Sequence, residues 1–389
     1  MELEMRKIYF LSASDRLNYG DLLFPILFKK VLVEKKVAHK FLNYGLINSN
    51  LSSFNALKTE SYKSLFNSIR KEQNPILIIG GGEALFPRFT TLYSYINRFF
   101  DFLMRRYTLK RIERNYSISS RIITSKKIVY PFTPTKSTFK NNQLKIFYNT
   151  VGGTFNTIST KDKAQLISAL NDSDYVSVRD NRSLKSMHEN KVEASLFPDS
   201  ALIMSNYFSL NYLKNNCSKA FESLPESYFM VQIGQSKMPN DFDLFFQNLL
   251  TYSISSNCKI VLCPIGLASG HNDYEVLKKI HKVYPETILV YPKNIEDIMI
   301  TISKSNCYLG TSLHGLITAQ SFNVPFYLFN KNVTKLKSYI NTWLEEFCFK
   351  DEYSLEYILN NWNTELYKSK TDKQKALVYK NYDIMFSKF

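Results

Sequence analysis

What most limits the folds open to this chain is an alternation that recurs along it. A short apolar run stops at a loop, and a stretch with helical periodicity follows. Lys7–Ser12 (KIYFLS) reads as a strand and ends in the loop 15–21, DRLNYGD. Leu22, Leu23, Ile26, Leu27 and Lys30 then set the period of a helix. Pro75–Ile79 is apolar throughout and stops at Gly80, Gly81 and Gly82, as a parallel strand buried on both faces would. Leu144–Asn149 repeats the plan before Gly152 and Gly153, and Tyr175–Val178 is followed by a helix from about Asn181. A second series comprises Tyr228–Ile233, Lys259–Pro264, Thr287–Tyr291, Cys307–Gly310 and Pro325–Phe329. Helical patterns over 241–254, 272–284, 294–304, 312–322 and 334–346 separate or follow these runs. Strands alternating with helices predict βαβ units and parallel sheets. A polar stretch from Tyr212 to Glu226 lies between the two series. The expectation is an α/β protein of two Rossmann-like domains, residues 1–210 and 225–389, facing a cleft at the C-terminal ends of their strands.

Composition excludes several classes. With 44% apolar residues in 389, the chain can bury a sizeable core and is not disordered as a whole. No run approaches the length of a membrane-spanning helix. Met1–Arg6 carries two Glu before a short apolar run, unlike a signal peptide. Five cysteines without a CxxC point to a reducing, cytoplasmic setting and no structural zinc. Cys258 and Cys263 would face opposite sides of a strand, so they cannot share a metal there. The net charge of +16 calls for an anionic partner without naming it, and part of it is general richness in lysine.

Residues 84–142 do not fit the alternation. An aromatic stretch, Phe86 to Phe102, precedes a basic one: residues 105–127 hold eight Lys or Arg against a single acid, Glu113. Such a pairing suits an interfacial helix that meets a membrane or a lipid-linked substrate. A solvated, partly helical lid is the plainer account and comes first, and nucleic acid is the weakest reading.

Residues able to carry chemistry gather at the expected strand ends. In YLGTSLHGLITAQSFNVP, 308–325, a strand ends at Gly310, Thr311 and Ser312 are good N-caps, and a helix starts at Leu313. His314 thus falls in the first turn, where unpaired N–H groups and the helix dipole favour an anion. It can also move a proton near neutral pH, and Gly315 lets a ligand approach the backbone. The plain alternative is a capped surface histidine. In SVRDNRS, 177–183, Arg179 leaves its strand at the ligand end with a fork suited to carboxylate or phosphate. The alternative there is a surface network with Asp180 and Arg182. Asn18-Tyr19-Gly20-Asp21, Gly80 to Glu83 and Gly152-Gly153 put three glycine loops at one sheet edge, which suggests close approach of backbone to a ligand. The first has neither GxGxxG nor a Walker lysine. Asp199 reads as a turn cap, no His, Cys and carboxylate set has metal-ligand spacing, and His39, His188, His271 and His281 read as structural on helices or loops.

NYGD, GGGE, SVRD, PDSAL and SLHGL, in this order, resemble the polysaccharide pyruvyltransferase family over about residues 7–345. The resemblance implies a two-domain, glycosyltransferase-B-like fold. It also implies an enzyme moving a pyruvyl group from phosphoenolpyruvate to two hydroxyls of one sugar, giving a cyclic ketal, with no metal and no cofactor. By the same resemblance Arg179 binds phosphoenolpyruvate, together with Leu313, His314, Gly315 and a basic residue about twenty further on. Lys335 fits that place if one residue is inserted, and Lys331 competes for it. His314 would be the acid or phosphate partner; Asp21 and Glu83 are candidate bases, and Asp180 is better suited to orienting a neighbour. Asn18, Gly81, Gly82 and Gly153 are expected near the acceptor, a sugar of a cell-surface polysaccharide or of its lipid-linked precursor. Two departures stand out: Ser312 where members carry Arg, and a shortened glycine motif at Gly152. The rival reading is a glycosyltransferase-B enzyme using a nucleotide sugar, which needs a ribose- or base-binding acid such as Glu296 or Asp297. A non-enzymatic binder of nucleic acid or anionic lipid would rest on the charge alone.

Overall fold

The computed structural model describes residues 6–234, 237–268, 271–330, 332–347 and 354–389. Its frame is two parallel sheets. The first comprises β1 (Arg6–Leu11), β2 (His39–Tyr44), β3 (Ile76–Gly80), β4 (Lys145–Val151), β5 (Tyr175–Val178) and β6 (Ser195–Leu196), in the order β2-β1-β3-β4-β5-β6. The second is built from β7 (Tyr228–Gln232), β8 (Lys259–Leu262), β11 (Ile288–Leu289), β12 (Cys307–Gly310) and β13 (Phe326–Tyr327), in the order β11-β8-β7-β12-β13. A small antiparallel pair, β9 (Leu267–Ala268) and β10 (His271–Asn272), lies outside both. The central strands are the apolar runs of the sequence, and register follows from burial on both faces: Phe10 pairs with Ile78, and Val231 with both Leu262 and Leu309.

Within the two parallel sheets, the strands that the sequence pattern does not reveal, β2 and β6, are edges. HKFLNY of β2 has one neighbour, tolerates His39, Lys40 and Asn43, and so lacks an apolar run. His39 therefore heads a strand, rather than lying on the helix or loop expected of it. β6 is likewise an edge and pairs only two residues, whereas the equally short edges β11 and β13 fall inside the expected runs 287–291 and 325–329.

The helix Tyr19–Glu34 lies between the sheets. Eleven of its sixteen residues are buried, Pro25 included, because it has a partner on nearly every side. Lys30 is only partly buried, with Nζ 5.1 Å from the Phe208 ring. The hydroxyls of Tyr19 and Thr318 bond at 2.9 Å, joining this helix to the helix Leu313–Ser321. The final helix, Thr364–Phe386, follows the second sheet in sequence and returns to the first. Asn381 donates to Asn149 Oδ1 at 2.9 Å and accepts from the Tyr175 hydroxyl at 2.8 Å. The stretch 84–142 forms short helices at Phe89–Ser94, Arg98–Met104, Tyr107–Tyr116, Ile118–Thr124 and Lys136–Phe139. No helix among the described residues is long and apolar enough to cross a membrane.

Candidate functional site

A cavity of about 320 Å³ opens where loops from the C-terminal ends of both sheets meet. The first sheet contributes Asn18, Asp21, Gly81, Gly82, Glu83 and Arg179 to its wall. The other half contributes Gln232, Lys237, Asp273, Ser312, His314 and Lys335.

Arg179 follows β5 and is 1% exposed. Nη1 donates to Asp199 Oδ2 and Nη2 to Glu83 Oε2, each at 3.0 Å, and Asp180 Oδ2 lies 3.9 Å from Nε. The three carboxylates outweigh the burial that would discharge it. The Trp343 indole donates to the Arg179 carbonyl at 2.8 Å, and Asn181 N–H donates to Thr342 Oγ1 at 3.0 Å. These bonds tie the helix Thr334–Trp343, which carries Lys335, to the end of β5. Glu83 also accepts from Arg182 Nη2 at 2.5 Å. Burial alone would raise its pKa, but Arg179 and Arg182 hold it below the ordinary value, so Glu83 orients the arginines and is poorly suited as a base. Asp180 is fully buried and caps the helix Asn181–Glu189 through Ser183 N–H at 2.8 Å.

His314 is not a surface histidine. Its helix is capped by Ser312, whose Oγ accepts from Gly315 N–H at 3.4 Å. The ring stands edge-on to Phe24, with centroids 5.3 Å apart, in a notch left by Gly20; a Cβ there would lie 1.8 Å from Nδ1. Nε2 is buried, has no hydrogen-bond partner among the described residues, and lies 3.9 Å from Asp199 Oδ2. Burial, then Arg179, Lys335 and Lys237, push the imidazole well below its ordinary pKa, so it is neutral at pH 7. Lys335 is lowered to about 8 by burial and by Lys237 and Arg179. Lys237 is lowered by burial, against the pull of Asp273. Asp21 accepts from Asn18 Nδ2 at 2.8 Å; burial raises its pKa to about 6, against the pull of Arg16 and Lys335. Arg179, Lys237 and Lys335 and a neutral imidazole thus share one pocket with a carboxyl whose pKa is about 6.

Other expected residues stand elsewhere. Leu313 is buried in the core. At Gly315 a Cβ would lie 2.2 Å from the Tyr308 hydroxyl, so glycine there serves packing, not ligand approach. Gly153 does not line the cavity: its N–H donates to Ser183 Oγ at 3.1 Å, and a Cβ would meet Leu85. Gly81 and Gly82 do line it, at φ +58° and +73°. Lys331 lies outside the described residues. Glu296 accepts from Asn55 Nδ2 at 2.9 Å, and Asp297 accepts from the N–H and hydroxyl of Ser218; neither lines the cavity.

The sequence reading missed Asp199, Lys237, Gln232 and Asp273. Asp199 does cap a turn, through Ala201 N–H at 3.0 Å, but it also stands between Arg179 and His314. Its one signal was its place in PDSAL. Gln232 ends β7, where it donates to Asp273 Oδ2 at 2.8 Å and accepts from the Tyr308 hydroxyl at 3.1 Å. Lys237 and Asp273 lie in segments with no motif. Among the described residues no group of three or more His, Cys, Asp or Glu is placed to hold a metal.

The family model described as polysaccharide pyruvyl transferase matches residues 18–331. No curated protein matches the chain. Among solved structures, it is similar to S. aureus MnaA with UDP: 10% identity, 98% of this chain and 95% of that one, TM-score 0.52. It is similar to UDP-GlcNAc 2-epimerase from Methanocaldococcus jannaschii at 10% identity, covering 96% of this chain and all of that one, TM-score 0.51. The enzyme of the same description from Neisseria meningitidis, bound to UDP-GlcNAc, gives 12%, 97% and 100%, TM-score 0.50. At such identities the likeness is of fold alone, and that fold is glycosyltransferase-B.

Proposed function

The chain belongs to the polysaccharide pyruvyl transferase family, and on that premise we propose that its cavity moves the pyruvyl group of phosphoenolpyruvate onto two hydroxyls of one sugar as a cyclic ketal. The acceptor is a sugar of a cell-surface polysaccharide or of its lipid-linked precursor. The observation that carries this reading is the convergence of Arg179, Lys237 and Lys335 beside the unpartnered Nε2 of His314. Phosphoenolpyruvate bears a carboxylate and a phosphate on the same carbon, C2, so it needs convergent cations more than an apolar slot.

The chemistry assigns work to each group. A proton adds to the methylene carbon and C2 becomes electrophilic. A sugar hydroxyl adds to C2 and loses its proton, the C2–O bond to phosphate breaks, and the second hydroxyl closes the ring with loss of a further proton. One proton is taken up by carbon, two are released by the hydroxyls, and phosphate leaves as the hydrogen phosphate. Asp21, with a pKa of about 6, is suited to exchanging protons with the hydroxyls. His314 enters neutral. Burial and then the cations hold its pKa down; a phosphate dianion beside it would offset the cations and favour uptake of a proton that it can then deliver. Asp199 and Glu83 each take one N–H of the Arg179 fork and fix it at the cavity wall, which leaves its second Nη–H groups for the donor's carboxylate.

The test is incubation with phosphoenolpyruvate and envelope-glycan precursors. Phosphate release should accompany a product heavier by pyruvic acid less one water. Turnover of a nucleotide sugar, with no phosphate released from phosphoenolpyruvate, would sink the reading. The engagement of Glu296 and Asp297 away from the cavity gives that rival no ribose-binding acid at the places expected for it.

A further inference from the structure

Three consecutive helices of the 84–142 stretch each leave an apolar pair open about one turn apart. The pairs are Phe99 and Phe102, Ile112 and Tyr116, Ile118 and Ile122. Tyr107 and Ile122 are 77% and 76% exposed. Single exposed apolar side chains are ordinary. Here, however, seven of the seventeen large exposed ones among the described residues fall between Phe99 and Ile122, a concentration that marks an interaction surface.

Charge is sorted on the same helices. Arg105, Arg106, Lys110, Arg111, Arg114 and Arg121 are all exposed. The acids of the stretch are withdrawn. Asp101 pairs with Arg105 at 2.8 Å, and Glu113 is buried, accepting from the N–H and hydroxyl of Ser119. What faces outward is apolar pairs set among cations, the pattern of a surface that rests in an anionic interface. It also adjoins the candidate site. A groove of about 540 Å³, lined by Arg88, Arg105, Lys110 and Arg114 and by the paired Asp101 and Glu113, shares Thr91 and Tyr95 with the candidate cavity.

We infer that the helices at 98–124 are a docking surface for an anionic lipid bilayer, which sets the cavity's mouth against the leaflet that carries the acceptor. The second clause rests on the transfer reading above; the docking does not, so vesicle binding and pyruvyl transfer fail independently.

The experiment is flotation of the full chain with vesicles of phosphatidylglycerol or of phosphatidylcholine at low salt. The anionic vesicles should carry the protein and the neutral ones should not. Replacing Arg105, Arg106, Lys110, Arg111 and Arg114 with Gln should lower the partition coefficient by at least about a hundredfold, since each cation near an anionic leaflet contributes roughly fivefold. Phe99→Ser with Ile122→Ser should lower it further at raised salt, where screening leaves the apolar contact dominant. All these positions are on the surface, and an unchanged circular dichroism spectrum and unfolding midpoint would confirm that each variant folds. Failure of the wild type to float with phosphatidylglycerol overturns the inference. Undiminished binding by the Gln variant overturns it too, placing attachment elsewhere on a basic chain. So does a dimer in light scattering that Phe99→Ser with Ile122→Ser dissolves, because a second copy would then cover these helices.

Discussion

Gly20 is defined by a ring from the other half of the molecule. A methyl group there would overlap His314 Nδ1, so the Gly20→Ala side chain must expel the imidazole from its notch. Alanine is the better helix former by about 1 kcal/mol, so activity and stability should part. Transfer should fall by roughly a hundredfold or more, the usual share of a general acid or base, while the thermal midpoint stays within a few degrees. Retained turnover would show that His314 is not needed where it stands. Asp21 offers a second separation. Folded, it keeps its proton up to about pH 6; unfolded, it loses it near 3.8. Between these values the folded state binds more protons, so stability falls as pH rises through the window, and the full penalty persists above it. Asp21→Asn should therefore be more stable than the parent at pH 8, by roughly 2 kcal/mol given about 1.4 kcal/mol per pKa unit and partial opening to the cavity. The gain should vanish below pH 4, and transfer should be lost throughout. Denaturant titrations at the two pH values decide it; equal stabilities at pH 8 would refute the burial of a charge.

Elements show why the sequence was legible in some places and silent in others. β1, β3, β4, β7, β8 and β12 are covered on both faces, so burial writes them as apolar runs. The helix Asp273–Val283 buries one face, Ile295–Ser303 is buried on nearly every side, and both begin at Asn caps. Edge strands such as β2 carry no such constraint and went unseen. At the site, residues in ordered motifs were found: Arg179, His314, Asp21. Lys237 and Asp273 were not, because their role comes from which loops the two sheets bring together. The glycines misled in part. Gly153 and Gly315 are small to admit neighbouring protein atoms, which no single sequence distinguishes from admitting a ligand. The last helix was given no range from the sequence, and nothing local says that Asn381 reaches Tyr175 and Asn149. Asn381→Leu would leave the buried Asn149 Oδ1 without this donor and take one partner from the partly buried Tyr175 hydroxyl. At about 1–3 kcal/mol for an orphaned group, the urea midpoint should drop clearly, whereas a substitution at exposed Lys380 should not move it. An unchanged midpoint for the Leu variant would mean that this helix is not a strut.

The whole molecule is needed to complete the cavity: Arg179 comes from the end of one sheet, while Lys237 and Lys335 follow strands of the other. A donor held by both halves should raise the unfolding temperature of the intact chain, with about 2.7 kcal/mol gained at a hundredfold excess over its Kd. Lys237→Ala should weaken that protection and raise the KM for phosphoenolpyruvate at least tenfold, with a smaller change in kcat. Equal protection of variant and parent would take Lys237 out of the donor site. One core cluster runs from Ile8 through the first helix to Met385, so apolar faces made early find partners made last. Synthesis proceeds from the N-terminus, and Tyr19–Glu34 leaves the ribosome long before Leu313–Ser321 and Thr364–Phe386 exist. Contacts of such sequence separation form slowly, and the waiting surface is open to aggregation. The order of manufacture therefore runs against the order of packing. A nascent chain of this design needs protection until the helix Thr364–Phe386 is free, and removing that helix strips cover from Phe28 on Tyr19–Glu34.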